Sequence, residues 1–570
     1  MTNKHQKNDK IFYRCYTIIR VGDRMKNIKV YYKHKEYNYP KGTTLIEISK
    51  DFQKEFKHPI LAGKINGEMR SLDTEVMEDA QVKFYDINRS NGNRVYERTA
   101  IFILTKAVKD VTGKDLYVEH SIDRGIYCLV AGLTEELLNQ INERMQEIID
   151  ARYNIEKLNM NRLKMMNYFN EHGHKSNANL LKYISNKTIT VYKLGELYDY
   201  FHGEMYLDTS CITSYRLHYL NGNGFVMMLP TIYDDGVAKE YTHHEEFFNA
   251  VVDYIKWTNR VGARNFTDIN TKLSEGKWND LIFMSEATYN KSLLDIADKI
   301  ADRGEIKMVL IAGPSCSGKT TTSKKLEMFL EGKGLKPIAL SVDDYYMERD
   351  ETPLDENGFK DYESIRAIDT KLFNSQISDL LEGKEVILPT FNFVTGMKEY
   401  KRKLKLDKDS ILIIEGLHAL NDELTSGVAR DKKYKIYISP LTGLNIDDHN
   451  RLNTTDNRLL RRIVRDNRRR GSNASKSLES WGRVRDGETK YIFPYQDKAD
   501  IVLNTSLIYE MSVLKVYAEP LLFSVREDDV NYSEALRLIN ILRMILPMPS
   551  AGIPLDSIMR EFIGNGCFEE

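Results

Sequence analysis

The chain has 570 residues, 42% hydrophobic and 29% charged, which is the composition of ordinary globular proteins at a length for roughly three to four domains. Its 82 Lys and Arg against 83 Asp and Glu leave a net charge of -1, excluding a global field that draws it to nucleic acid or membrane and leaving only local patches for that. The 5 cysteines (Cys15, Cys128, Cys211, Cys316, Cys567) lack metal-ligand spacing, no run of about 18 apolar residues occurs, and Met1-Thr2-Asn3-Lys4-His5-Gln6 is no apolar signal, so a reducing, cytoplasmic setting without a membrane span is expected.

In chain order, a polar tail (1–25) leads into a unit expected over 26–88. Ile28 to Tyr32 alternates as a strand, Tyr39-Pro40-Lys41-Gly42-Thr43-Thr44 turns into a helix from Leu45 to Phe56, the stretch from Ile60 to Glu68 turns at Asn66-Gly67, and Gln81 to Tyr85 closes the set. This is a small β-grasp pattern. In its P-x-G-T-T-L turn, A-G-K-I-N-G-E hairpin and D-A-Q-V-K-F end, the segment resembles the TGS domain of threonyl-tRNA synthetases. A β-grasp alone is a scaffold and assigns no ligand.

Past a polar break at Arg89-Ser90-Asn91-Gly92-Asn93, residues 97–235 resemble the α+β second additional, or editing, domain of the same synthetases, with helices expected from Glu97 to Asp110 and from Glu135 to Tyr153. That resemblance implies an H-x-x-x-H zinc pair on the opening helix, but the matching positions hold Arg98 and Phe102. Neither binds zinc as imidazole does. Cys211 has no following Pro-His, so aminoacyl-tRNA hydrolysis is not expected and a structural or regulatory role is. His172/His174 and His243/His244 lack partners at ligand spacing and read as solvated or core residues. Residues 236–304 read as a helical connector, with Trp257, Trp278 and Phe283 as packing anchors.

The strongest signal follows. Gly313-Pro314-Ser315-Cys316-Ser317-Gly318-Lys319-Thr320 completes G-x-x-x-x-G-K-[ST] between the apolar run Met308 to Ala312 and a helix start at Thr321. Its glycines let successive N–H groups face phosphates, Lys319 reaches the β and γ oxygens, and the Thr320 hydroxyl is a Mg²⁺ ligand. Thr321 joins the same nucleotide-contacting set. Pro337 to Val342 reads as a buried parallel strand that delivers Asp343-Asp344-Tyr345-Tyr346 to the ligand-binding edge of a doubly wound sheet, and Ser410 to Ile414 delivers Glu415 there. Asp343 is the candidate base for an acceptor hydroxyl and Glu415 the candidate metal ligand. Further on, Arg458, Arg461, Arg462, Arg465 and Arg469 share a helical face opposite Leu459, Leu460, Ile463 and Val464. That face suits a lid over a triphosphate, while composition alone leaves RNA binding or simple solvation open.

With L-S-V-D-D-Y-Y, P-T-F-N-F-V-T, I-I-E-G-L-H-A-L and R-L-L-R-R-I-V-R-D-N-R-R-R-G in order, residues 305–510 resemble the uridine kinase and phosphoribulokinase group of P-loop kinases. The resemblance implies an α/β fold with a mainly parallel sheet, ATP and Mg²⁺, Asp343 as base toward a ribose 5′-hydroxyl, and Tyr346 in the nucleoside pocket. It also implies phosphate contacts from Arg462, Arg465 and Arg470. Two departures bear on the acceptor. Glu363 stands where uridine kinases carry a ribose-gripping aspartate, and Phe391-Asn392-Phe393-Val394-Thr395-Gly396 stands for Tyr-Asp-Phe-x-x-His, putting Gly396 in place of a base-reading histidine. Phe391 and Phe393 remain available to stack on a base or to pack in the core.

The expectation is an ATP-dependent nucleoside kinase acting on a 5′-hydroxyl, with uridine or cytidine first. The alternatives are a kinase of another alcohol (a sugar phosphate or a pantothenate-like compound) and an RNA-binding regulator switched by nucleotide. A homo-oligomer held by the N-terminal region is a further expectation. Residues 511–570 read as a helical extension, with helices from Met511 to Phe523 and Tyr532 to Leu546 and a docking tail from Asp556 to Gly564.

Overall fold

A computed structural model describes residues 27–355, 358–392, 395–441 and 444–568. The expected tail at 1–25 and Phe393 lie outside the described residues. The chain divides into two compact units: one takes the described residues up to Thr242 together with Asp447–Arg451, the other His243–Ile446 and the described residues from Leu452 onward.

The first unit opens with β1 (Asn27–Tyr32), β2 (Lys35–Pro40), α1 (Leu45–Phe52), β3 (Ala62–Ile65), β4 (Glu68–Arg70) and β5 (Ala80–Tyr85), the strands ordered β2-β1-β5-β3-β4 with β1 parallel to β5. Alternation dictates the sheet: Ile28, Val30 and Tyr32 point inward and pack with Leu45, Ile48 and Phe52 of α1. A capping box starts that helix, the Thr44 side chain accepting from the Glu47 N–H and the Glu47 carboxylate accepting from the Thr44 N–H at 2.9 Å. The helix ends at Phe52, not Phe56, and tightens into a 3₁₀ turn over Gln53–Glu55.

Next come α2 (Ser90–Thr112), β6 (Tyr117–Ile122), β7 (Gly125–Leu129), α3 (Glu135–Asp150), β8 (Glu156–Asn161), α4 (Arg162–Glu171), α5 (Lys175–Lys182), β9 (Thr188–Leu194), β10 (Leu197–Asp199), β11 (Arg216–Tyr219) and β12 (Gly224–Met228). They form an antiparallel sheet β11-β12-β7-β6 and a smaller sheet β10-β9-β8. The polar stretch Ser90–Asn93, expected as a break, is the first turn of α2. Tertiary packing overrides its weak helix propensity: a Cβ at Gly92 would meet the Asp86 carbonyl oxygen at 2.0 Å, and the Asn93 amide donates to the Pro230 carbonyl at 2.7 Å. Phe102 is fully buried in this helix, and Arg98 donates to the Glu204 carbonyl. The segment Asp447–Arg451 belongs to this unit through a buried pair, His449 Nδ1 lying 2.6 Å from Asp199 Oδ2, and through Arg451, which donates to Glu97 at 2.9 Å.

The second unit begins with α6 (Glu245–Arg260), α7 (Phe266–Ser274) and α8 (Trp278–Arg303). Two expected anchors fail here: Trp278 is 37% and Phe283 76% exposed. The packing stripe of α8 is instead Leu281, Ser285, Tyr289, Leu293, Ile296 and Ile300, and Phe283, two positions after Leu281, falls on the far side.

After these helices, β13 (Met308–Ala312), α9 (Lys319–Glu331), β14 (Lys336–Ser341), β17 (Ser410–Glu415), β18 (Lys433–Ser439) and β19 (Ile501–Asn504) build a sheet ordered β14-β17-β13-β18-β19, every neighbouring pair parallel. Between β14 and β17 lie α10 (Thr370–Leu381) and the hairpin β15 (Val386–Asn392) and β16 (Met397–Leu404); after β18 come α11 (Thr454–Arg470) and α12 (Ala474–Tyr491). The unit closes with α13 (Glu510–Phe523), α14 (Tyr532–Leu542) and α15 (Ile558–Ile563). Among the described residues no helix is long and apolar enough to cross a membrane.

Candidate functional site

Strand β13 is buried along its whole length at the centre of the sheet, so the chain leaves it at the carboxyl edge, where sheets of this kind bind ligands. Only glycine fits at the exit, since a Cβ on Gly313 would lie 2.2 Å from the Ile438 carbonyl oxygen. Cys316 at φ +61 and Gly318 at φ +90 then carry the backbone through the left-handed region and into α9. A loop of this shape directs its N–H groups, with those of the helix start, toward an anion. Among the described residues the buried Ser317 hydroxyl has no hydrogen-bond partner, and Lys319 Nζ folds back on the loop, 3.1 Å from the Gly313 carbonyl and 3.3 Å from that of Pro314. Thr320 is exposed. Thr321, expected to touch nucleotide, is buried, and its hydroxyl donates to Glu561 at 2.8 Å.

Two carboxylates reach the same edge on neighbouring strands. Ser341 pairs in register with Glu415, its hydroxyl donates to Glu415 Oε1 at 3.1 Å, and its oxygen accepts the Asp343 N–H at 3.3 Å. Gly416 permits this approach, because a Cβ there would lie 2.5 Å from Val342 Cβ. Burial pushes the Asp343 carboxyl above its usual range against the opposing charges of Lys319, Arg470 and Arg465. Burial, and then Asp343 itself, pushes Glu415 up to about 7. Glu415 and the Thr320 hydroxyl are oxygen donors of the kind Mg²⁺ takes, and a divalent cation would offset carboxylate charge at this edge.

The arginine helix departs from expectation. Arg458 and Arg461 do not join an open lid: Arg458 is buried in an ion pair with Glu488 and donates to the Ser315 carbonyl at 3.0 Å. Arg461, fully buried, pairs with Glu510 and donates to the carbonyls of Cys316 at 3.1 Å and Thr505 at 2.9 Å. These two hold the phosphate loop from beneath. Arg462 reaches the Ser315 hydroxyl at 3.4 Å, and Arg465 and Arg470 lie 2.7 and 3.7 Å from the buried Asp466 carboxylate. Glu488, Glu510 and Asp466 carry no sequence signal of their own, because their partners lie on the same face as arginines that a helical wheel treats as equivalent.

After β14, Tyr346 is buried, donates to the Tyr362 carbonyl at 3.2 Å, and has its ring 5.7 Å from that of Phe391, whose N–H donates to Asp344 at 3.3 Å. Glu363 lines a cavity of about 1010 Å³ with Tyr362, Arg366, Arg483, Gly487 and Tyr491. Gly487 makes the room, since a Cβ there would lie 2.6 Å from Glu363 Cβ. Gly396 has φ +76, and a Cβ there would meet Arg349 Cβ at 2.7 Å, so this turn has no place for a base-reading side chain.

Burial, then the charge of Glu488, raises Glu363 to about 7 from the 4.5 of a free glutamate. The folded chain therefore binds this proton more tightly than the unfolded chain, and the associated stability is fully present below pH 4.5 and lost as pH rises through 7. Thermal melting at pH 5 and pH 8 is expected to show a larger fall for the wild type than for Glu363→Gln, the difference being about 1–3 kcal/mol. Equal falls in the two proteins would contradict this assignment.

Comparison with known proteins adds two likenesses. A model of the Phosphoribulokinase / Uridine kinase family matches residues 308–508. The uridine kinase of Mycoplasma genitalium is 32% identical over 177 residues, which cover 31% of this chain and 74% of that protein. The threonine–tRNA ligase of Caldanaerobacter subterraneus is 27% identical over 224 residues, covering 36% of this chain and 35% of the ligase, so the chain spans about a third of that enzyme. A solved structure described as a possible uridine kinase from Bacillus stearothermophilus is 18% identical with a TM-score of 0.24, covering 35% of this chain and 89% of that one.

Proposed function

Because the chain belongs to the phosphoribulokinase / uridine kinase family, we propose that it is an ATP-dependent nucleoside kinase that phosphorylates a 5′-hydroxyl, with uridine and cytidine as the first acceptors to test. The observation that carries this reading is the meeting of Asp343 and Glu415, tied through Ser341, at the strand edge from which the phosphate loop leaves.

In this mechanism the loop N–H groups and Lys319 hold the β and γ phosphates of ATP. Asp343 receives the proton of the acceptor hydroxyl as the new oxygen–phosphorus bond forms and the bond to the β-phosphate oxygen breaks, releasing ADP. Arg462, Arg465 and Arg470 offset the charge on the transferring group. Mg²⁺, when bound, would neutralise phosphate charge, and Thr320 and Glu415 are the residues that would hold it. Glu363, in the lining of the cavity, accepts from a sugar hydroxyl in this reading, while Tyr346 and Phe391 give the acceptor an aromatic wall.

The substrate remains the finer question, since Gly396 supplies no base-reading group and a site without that contact discriminates weakly among bases. A panel of nucleosides, sugar phosphates and pantothenate-like alcohols with γ-labelled ATP tests the reading. Label appearing only in a non-nucleoside product would sink the nucleoside assignment and keep the kinase. The RNA-binding alternative is weakened by the engagement of Arg458 and Arg461 in buried ion pairs. For the synthetase-related N-terminal region, similar to threonine–tRNA ligases, we propose a regulatory or assembly role without hydrolysis of aminoacyl-tRNA.

A further inference from the structure

Residues 554–564 lie beyond the stretch that matches the family model, yet they pack against the phosphate loop and the arginine helix at once. Ile558 faces the loop so closely that a Cβ on Gly318 would meet its Cγ2 at 3.0 Å. One turn on, Glu561 accepts the Thr321 hydroxyl at 2.8 Å. Asp556 pairs at 2.7 Å with Lys325, a lysine of α9 that is otherwise buried. From the other side, Arg468 of α11 donates to the carbonyls of Phe562 at 3.2 Å and Glu561 at 3.1 Å, and the Arg461 guanidinium lies 5.0 Å from the centre of the Phe562 ring. Ser557, which caps α15, anchors the segment to α8 by donating to Glu286 at 2.5 Å.

We propose that this segment is a positioning strap for the nucleotide site, in which Glu561 through Thr321, and Ile558 through Gly318, hold the phosphate loop in its phosphate-accepting shape while Arg468 ties that loop to the arginine helix. Glu561 acts through its hydrogen bond with Thr321, so it is a positioning residue. A loop that must hold several N–H groups aimed at one anion gains affinity when its conformation is fixed before the anion arrives. Glycine at 318 leaves an open face on the loop, and Ile558 covers it.

The inference rests on the reading of this site as one for ATP, and its test is a binding measurement that needs no acceptor. The probe is a fluorescent ATP analogue titrated into the full chain with Mg²⁺. In Glu561→Ala the dissociation constant and the KM for ATP are expected to rise together by about tenfold, the loss of one hydrogen bond to a charged acceptor. Turnover at saturating ATP and the KM for the acceptor should stay within about twofold of wild type. Glu561→Gln, whose side-chain carbonyl still accepts from Thr321, is expected to recover most of the affinity. Ile558→Ala should shift affinity in the same direction, and hydrogen exchange of the amides from 313 to 322 should quicken in both alanine variants. Wild-type affinity in folded Glu561→Ala and Ile558→Ala overturns the strap alone. A wild-type chain that bound no nucleotide would overturn the strap and the kinase reading together.

Discussion

Replacing Asp343 by asparagine is expected to lower turnover by about a thousandfold, the usual worth of a positioned general base. The substitution keeps shape and hydrogen-bonding reach while removing the ability to hold the acceptor proton. Because the carboxylate sits next to Lys319 and burial already pushes it toward its protonated form, the neutral amide should cost no stability and should leave nucleotide binding intact or tighter. The check is steady-state kinetics with melting temperature and nucleotide affinity measured on the same preparation. A fall in turnover accompanied by weaker nucleotide binding would move Asp343 from proton acceptor to nucleotide ligand, and turnover within about threefold of wild type would remove it from the chemistry. The pH profile supplies a second reading. With Asp343 raised by burial, and Glu415 by burial and by Asp343, the rising limb of kcat/KM should lie above the range of ordinary carboxylates.

What the sequence makes legible is what local spacing fixes. The phosphate loop can be read because a buried strand, two glycines and a helix start follow one another within a dozen residues, and the ends of β14 and β17 can be read because apolar runs stop at acidic residues. The order of the strands is another matter. Parallel neighbours such as β14 and β17 are separated by about seventy residues of crossover, and periodicity carries no information about which strand lies beside which. The arginine helix shows the same limit in side chains. A helical wheel puts Arg458, Arg461, Arg462 and Arg465 on one face, but whether a given guanidinium meets a phosphate or a buried carboxylate depends on Glu488 and Glu510, which arrive from α12 and α13. Thr321 reads as a nucleotide contact from its place after the loop, while its partner Glu561 stands 240 positions away. The segment Asp447–Arg451 belongs with the first unit for reasons equally remote from its neighbours in sequence, the carboxylates of Asp199 and Glu97.

The largest expected loss of stability follows from one of these distant partners. Glu488 is fully buried, accepts the Ser315 N–H at 3.0 Å, and pairs with Arg458, which is itself 3% exposed, donates to the Ser315 carbonyl at 3.0 Å and lies 5.2 Å from the Trp481 ring centre. Both backbone polar groups of Ser315 thus depend on one ion pair. Glu488→Ala leaves the guanidinium charge buried without its counterion and is expected to cost about 3–5 kcal/mol, with phosphate-loop amides losing protection first. Glu488→Gln keeps an acceptor and should cost about 1–3 kcal/mol. Adding Arg458→Met to Glu488→Ala removes the stranded charge, so the double variant should be more stable than Glu488→Ala alone, and a double-mutant cycle followed by chemical denaturation should show a coupling of at least about 2 kcal/mol. Strict additivity of the two substitutions would show that the pair is not what secures Ser315, because independent losses leave no stranded charge to relieve.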